Sequence, residues 1–268
     1  MTGTAAPIGV FDSGIGGLTV VRELRRQLPA EDIIYFGDTA RVPYGPKSPE
    51  TVQRYSREIA AFLLMRDVKA IVIACNTATA HALPLLEAEL PVPVIGVIGP
   101  GARAAVRAAD SGGIGVIGTI GTVRSGAYER AIAERAPHAN VTARACPLFV
   151  PFVEEGWTDH PATRLVAEEY LAPLRTAGVN TLVLGCTHYP LLKPVIADVV
   201  GPEISLIDSA QETAAETGAI LRQRQLAAPT DRRGVAYYVV SDAADHFART
   251  ARHFLGAPLQ LVETLTLG

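Results

Sequence analysis

Short apolar runs rich in Val and Ile alternate along the chain with stretches whose apolar positions recur at helical spacing. The runs predict strands over residues 7–11, 32–36, 70–74 and 92–97, each closed by Gly, Asp, Cys or a turn. Between them the spacing predicts helices over 18–28, stopped at Pro29, over 48–66 and over 79–89. Ser48 stands as an N-cap for the second of these, with Pro49 at the first helical position and acidic Glu50 next. Apolar strands joined by helical crossovers predict a mostly parallel sheet covered on both faces.

The scheme then repeats. Gly9-Val10-Phe11-Asp12-Ser13 is matched by Gly115-Val116-Ile117-Gly118-Thr119, an offset of 106 residues. Ala70-Ile71-Val72-Ile73-Ala74-Cys75-Asn76-Thr77 is matched by Thr181-Leu182-Val183-Leu184-Gly185-Cys186-Thr187-His188, an offset of 111. Each cysteine motif leads into a helix and then a short strand, over 92–97 in one case and 204–208 in the other. Beyond Ser209 come a further helix, a strand over 235–240 and a helix over 242–254, expected to return to the first half. The expected architecture is α/β, with two pseudo-symmetric domains of mostly parallel sheets flanked by helices and an active site in the cleft between them. Residues 1–98 plus 209–268 would form the first domain and 99–208 the second.

Composition narrows the classes. A chain of 268 residues, 49% hydrophobic, is long enough for one large or two small cores. A net charge of -3, with no Lys/Arg block, asks for no nucleic-acid partner. No run of about 18 apolar residues occurs, so no membrane span is expected. Residues 1–10 lack a cationic stretch before an apolar core, so no secretory signal is expected. The cysteines are Cys75, Cys146 and Cys186, too few and odd in number for a disulfide framework, which favours a reducing cytoplasm. Lys47, Lys69 and Lys193 are the only lysines and lie away from the cysteine motifs, so no Schiff-base cofactor is expected.

Cys75 and Cys186 stand at matched positions, each ending an apolar strand, where ligand sites of open α/β sheets lie. A helix after each would turn its first N–H groups toward the cysteine and favour a thiolate or a bound carboxylate. One such cysteine would read as a small buried hydrophobe; two at equivalent places of a repeat point to chemistry. Cys146 has no such context and reads as structural. Asn76, Thr77 and Thr187 supply polar groups suited to a small ligand or to helix capping, or both. Asp12-Ser13-Gly14-Ile15-Gly16-Gly17 departs from the dinucleotide spacing, and Asp38 is not clearly in the ribose position. Asp12 is therefore either a site carboxylate or the anchor of an Asx-turn. Pro43-Tyr44-Gly45 lies in a Gly/Pro-rich loop over 39–49 that is either a plain turn or a site wall. His188 shares the surroundings of Cys186 as an acid or orienting group. Glu154 and Glu155 read by themselves as solvated loop carboxylates.

Phe-Asp-Ser-Gly-Ile-Gly-Gly-Leu-Thr-Val at 11–20, Pro-Tyr-Gly at 43–45, Cys-Asn-Thr at 75–77, Gly-Thr at 118–119 and Gly-Cys-Thr-His-Tyr-Pro at 185–190 resemble the bacterial glutamate racemases, in order and along the whole chain. The resemblance implies cofactor-independent, metal-free interconversion of L- and D-glutamate, supplying D-glutamate for peptidoglycan, in a cytoplasmic homodimer. It implies Cys75 and Cys186 as the two bases, serving D- and L-glutamate respectively. Asp12, His188 and Glu154 would assist, with Glu155 the alternative to Glu154. Asp12, Ser13, Pro43, Tyr44, Gly45, Asn76, Thr77, Thr119, Thr122, Thr187 and His188 would join the cysteines in binding substrate. Inversion at Cα needs a base on each face, and a thiol with a free pKa of about 8.5 is a serviceable one near neutrality. Two rival classes remain. A Cys–His hydrolase would use Cys186 with His188 and leave Cys75 idle. A two-lobed binding module would need neither cysteine.

Overall fold

The structure, a computed structural model, describes residues 3–110, 112–259 and 261–267. The chain runs β1 (Ile8–Asp12), α1 (Leu18–Gln27), β2 (Ile33–Gly37), α2 (Pro49–Met65), β3 (Ala70–Ile73), α3 (Asn76–Glu89), β4 (Val94–Gly96) and α4 (Ile98–Ala108). It continues through β5 (Gly113–Gly118), α5 (Ile120–Ser125), α6 (Ala127–Ala133), β6 (Val141–Ala145), α7 (Phe149–Glu154), α8 (Pro161–Thr176), β7 (Val179–Gly185), α9 (Lys193–Val200) and β8 (Ser205–Asp208). It closes with α10 (Ser209–Gln223), β9 (Ala236–Val240), α11 (Ala244–Leu255) and β10 (Glu263–Thr264).

The strands form two sheets, ordered β10-β9-β2-β1-β3-β4 and β6-β5-β7-β8, and every pairing is parallel. The fold is α/β, as the alternation of patterns predicts. Buried Val, Ile and Phe side chains fill β1, β2 and β3 with no polar face, because helices cover both sides. Strands β9 and β10 of the tail join the first sheet beside β2.

The order of strands positions the site. In the first sheet β2 lies on one side of β1 and β3 on the other; in the second, β6 and β7 flank β5 in the same way. Neighbouring crossovers therefore leave in opposite directions at the β1/β3 and β5/β7 boundaries, which opens a crevice at the carboxyl ends of those strands. Asp12 and Cys75 flank the first crevice; Thr119 and Cys186 flank the second.

Side-chain caps begin several helices at these ends. The Ser48 hydroxyl accepts the Thr51 amide at the start of α2, the Thr119 hydroxyl accepts that of Thr122, and an Asp208 carboxylate oxygen accepts that of Ala210. Helix α3 begins at Asn76, three residues before the expected start, because the Cys75 thiol itself acts as the cap.

The opposite ends of the first sheet's strands hold a buried ion pair. Lys69 Nζ lies 2.5 Å from Glu31 Oε2 and donates to the Thr4 carbonyl at 2.6 Å, while Glu31 Oε1 accepts the Ala228 amide at 2.8 Å. Lys69→Met would strand a buried carboxylate, so it should cost about 3–5 kcal/mol of unfolding free energy, read as a lower urea midpoint. The paired replacement Lys69→Met with Glu31→Leu should recover much of that loss, since it removes both charges together.

Candidate active site

The two crevices face each other and enclose one cavity of about 440 Å³, lined by Cys75 and Cys186 together. Both cysteines are more than nine-tenths buried. Ser13, Pro43, Tyr44, Gly45, Asn76, Thr77, Thr119, Thr187, His188 and Glu154 share the lining. Asp12 and Thr122 stand just behind the wall, each 1% exposed. Residues not singled out in the sequence also line it, among them Val42, Ile120, Pro147, Val150 and Pro151. They form an apolar rim whose only local signal is the pair of prolines before and within α7.

On the first side, Cys75 Sγ accepts the Ala78 amide at 3.4 Å and donates to Ser13 Oγ at 3.6 Å. A helix N-terminus favours a thiolate, yet burial and the nearby Asp12 charge outweigh it and push the Cys75 thiol up to about 12. Cys75 is therefore held as the thiol at neutral pH. Asp12 Oδ2 accepts the Gly14 amide at 3.0 Å, which is the Asx-type turn open from the sequence. Its Oδ1 is buried with no hydrogen-bond partner among the described residues. Burial pushes the Asp12 carboxyl up, against the lowering pull of His188 and of the Gly14 and Gly17 amides.

The second side differs from the sequence expectation that a helix comes directly after each cysteine. After Cys186 come Thr187, His188 and a single 3-10 turn, Tyr189–Leu192, before α9 starts at Lys193. The Pro190-bearing segment turns tightly instead of opening a helix, so His188, not a helix terminus, serves Cys186. Its Nδ1 lies 3.8 Å from Cys186 Sγ, and its Nε2 lies 2.9 Å from Glu154 Oε1 at the end of α7. Glu155, the alternative, is exposed and forms no such pair. Burial alone would push the imidazole down; hydrogen bonds and charge from Cys186 and Glu154 overcome this and lift it to about 10. Phe254 of α11 stands edge-on to the imidazole at 5.5 Å.

Short polar contacts join the walls across the cleft. Thr77 Oγ1 lies 2.9 Å from Thr119 Oγ1 and 3.3 Å from Thr122 Oγ1. Tyr128 of α6 donates to Asn76 Oδ1 at 2.8 Å, leaving the buried Asn76 Nδ2 without a partner among the described residues. Thr19 donates to the Thr187 carbonyl at 3.0 Å. Two glycines permit this approach: a Cβ on Gly16 would fall 2.2 Å from Thr187 Oγ1, and one on Gly121 would fall 2.6 Å from the Gly45 carbonyl oxygen. Cys146 lies outside the cavity, and its carbonyl accepts the Tyr189 hydroxyl at 2.8 Å.

Paired strand-end thiols in one cleft, each with its own polar partner, form an arrangement suited to acid/base chemistry of the racemase class. The model of the Asp/Glu/Hydantoin racemase family matches residues 8–217. A glutamate racemase of Geobacter metallireducens is 57% identical, over 97% of this chain and 96% of its own. Among solved structures, a glutamate racemase isoform from Bacillus anthracis superposes with a TM-score of 0.95 at 42% identity, over 98% of each chain. The glutamate racemase of Francisella tularensis, in complex with D-glutamate, gives 0.92 at 39% identity, again over 98% of each. The chain belongs to the Asp/Glu/Hydantoin racemase family, within its glutamate racemase branch. No helix among the described residues is long and apolar enough to cross a membrane.

The His188 environment has a measurable consequence. Its imidazolium binds a proton more tightly folded than unfolded, where the ordinary value is 6.5. The stability it contributes is fully present below pH 6.5, declines above it, and is lost as pH rises through about 10. The urea midpoint of the wild type, relative to His188→Asn, should therefore fall across that window. A difference that is flat with pH would contradict the assigned environment.

Proposed function

We propose that this chain interconverts L- and D-glutamate by proton transfer between Cα of the substrate and two thiols, Cys75 and Cys186, without a cofactor. The observation that carries the reading is the placement of both thiols, from matched strand ends, in the lining of a single cavity. In the L-to-D direction the Cys186 thiolate takes the Cα proton, and the Cα–H electron pair is left as an enolate delocalised into the α-carboxylate. Cys75 then delivers its own proton to the opposite face and becomes the thiolate; the D-to-L direction reverses these roles. The imidazolium of His188 stabilises the Cys186 thiolate, and Glu154 holds the ring. Asp12, with its unpaired oxygen, suits a proton relay for Cys75 or a partner for the substrate ammonium. The unpaired Asn76 Nδ2 suits the carboxylate on which the charge develops.

Glutamate as the substrate is supported by the relatives that carry this activity and by the D-glutamate complex of the Francisella enzyme. Supply of D-glutamate to peptidoglycan, a cytoplasmic location and a homodimer belong to the same reading and rest on resemblance. A Cys–His hydrolase is disfavoured by geometry: Cys186 and His188 are both buried at one turn, and Cys75 would have no task. A passive binding module would give no reason for two paired thiols.

The direct test is isotopic. In heavy water, product formed in either direction should carry deuterium at Cα. Cys75→Ser should abolish racemisation yet retain exchange of the Cα proton of L-glutamate, and Cys186→Ser should retain exchange only with D-glutamate. Normal racemisation by either variant would remove that cysteine from the mechanism. L-aspartate should show far slower decay of circular dichroism than L-glutamate.

The assisting groups divide by side. Asp12→Asn and His188→Asn should each slow turnover about a hundredfold to ten-thousandfold, with opposite bias in the kcat values for the two enantiomers. The equilibrium constant is fixed, so each bias must be matched in KM. Equal losses in both directions for both variants would refute the division.

A further inference from the structure

The cavity poses a binding problem. Among the described residues no lysine or arginine lines it, so a substrate with two carboxylates has only hydroxyls, amides and the His188 imidazolium to meet its charge. Where such donors stand matters more than it would beside a flexible cation. One wall is the Tyr44–Gly45 turn, and neither its Tyr44 nor its Gly45 amide donates to a protein acceptor among the described residues. Its placement is set from below, by a carboxylate outside the lining.

We propose that Asp38 is a positioning residue for substrate binding: it holds the Tyr44–Gly45 turn against Thr119 and Gly121 so that the turn can serve as an anion-binding wall. The inference rests on the proposed racemase function. Asp38 is fully buried beside the end of β1, its amide donating to the Asp12 carbonyl at 3.1 Å. Its carboxylate gathers three side chains. Arg41 Nε donates to both oxygens at 2.9 and 2.8 Å, Tyr44 Oη to Oδ2 at 2.5 Å, and Ser241 Oγ to Oδ1 at 2.9 Å.

Each partner ties the loop to another part of the fold. Arg41 also pairs with Glu58 of α2 and lies 4.0 Å over the Tyr55 ring, against which Tyr44 packs at 5.7 Å. Ser241, at the end of β9, also accepts the Ala40 amide at 2.8 Å. A carboxylate can accept from all of these at once, which no neutral side chain of that size can do. Above it, a Cβ on Gly45 would meet Thr119 Cβ at 3.2 Å, so a small drift of the turn changes the cleft.

The test separates binding from chemistry. Asp38→Ala should raise KM for both enantiomers by about tenfold or more while kcat stays within about threefold, because the thiols keep their own partners. Tyr44→Phe, which keeps the ring and loses one hydroxyl bond, should raise KM by a smaller factor in the same direction. Asp38→Asn should recover part of the loss, since its amide oxygen can still accept from Tyr44 while its NH2 faces Ser241. Should Asp38→Ala fail to fold, Tyr44→Phe and Asp38→Asn carry the test. Wild-type KM in Tyr44→Phe and Asp38→Asn, or losses confined to kcat and melting temperature, would overturn the proposal. A wild-type chain inactive on glutamate in the same assay overturns the proposed function and this inference with it. An active wild type with unchanged KM in the variants overturns only the inference.

Discussion

Burial of two thiols at facing strand ends is the constraint on which the rest of the molecule turns. Removing a thiolate from water is costly, so a buried cysteine stays protonated unless a neighbour compensates it. The two halves meet this constraint differently although β2-β1-β3-β4 and β6-β5-β7-β8 follow the same order. Cys75 caps α3 and still remains a thiol, because one helix terminus and a serine do not offset burial beside Asp12. Cys186 loses the helix and gains His188, itself held by Glu154. The same group therefore stands in two unlike environments, one thiol capping a helix beside a carboxyl and the other beside an imidazole.

The topology gives the thiols their places and the small residues let them share one cavity. Each cysteine lies where crossovers leave in opposite directions, so the strand ends are free of covering helix there. Closing the two halves then needs bare backbone at the seam, at Gly16 against the Thr187 and His188 side chains and at Gly121 against the Gly45 carbonyl. The hydroxyl cluster of Thr77, Thr119 and Thr122 seals the same seam with hydrogen bonds rather than bulk. Below the wall, Asp38 ties the 39–44 loop to the tail strand β9, which makes the C-terminal part of the chain a structural contributor to a site it does not line.

The absence of Lys and Arg from the lining among the described residues fits this economy. A strong fixed cation would hold a substrate with two carboxylates tightly in its ground state, and uniform binding does not speed the chemical step. Oriented amides and hydroxyls around a buried cavity can instead favour the charge that would develop on the carboxylate as Cα is deprotonated.

Local sequence was enough for the alternation of strands and helices, the parallel α/β class and the duplicated cysteine motif, because periodicity and strand-end residues act over a few positions. The Ser48 cap with Pro49 and the Gly-rich turn after β1 were legible for the same reason. The segment after Cys186 was not legible: its motif reads like that after Cys75, but a tight turn replaces the helix because packing of Tyr189 and Leu192 into the core decides it. Glu154 reads as one of two solvated carboxylates until α7 brings it to His188. Asp38 reads as a failed ribose ligand until Arg41, Tyr44 and the distant Ser241 converge on it. Local pattern determined which elements form and which ends carry reactive groups. Only the tertiary structure decided which of those groups are desolvated, charged and in contact, because burial and pairing depend on residues brought together from far along the chain.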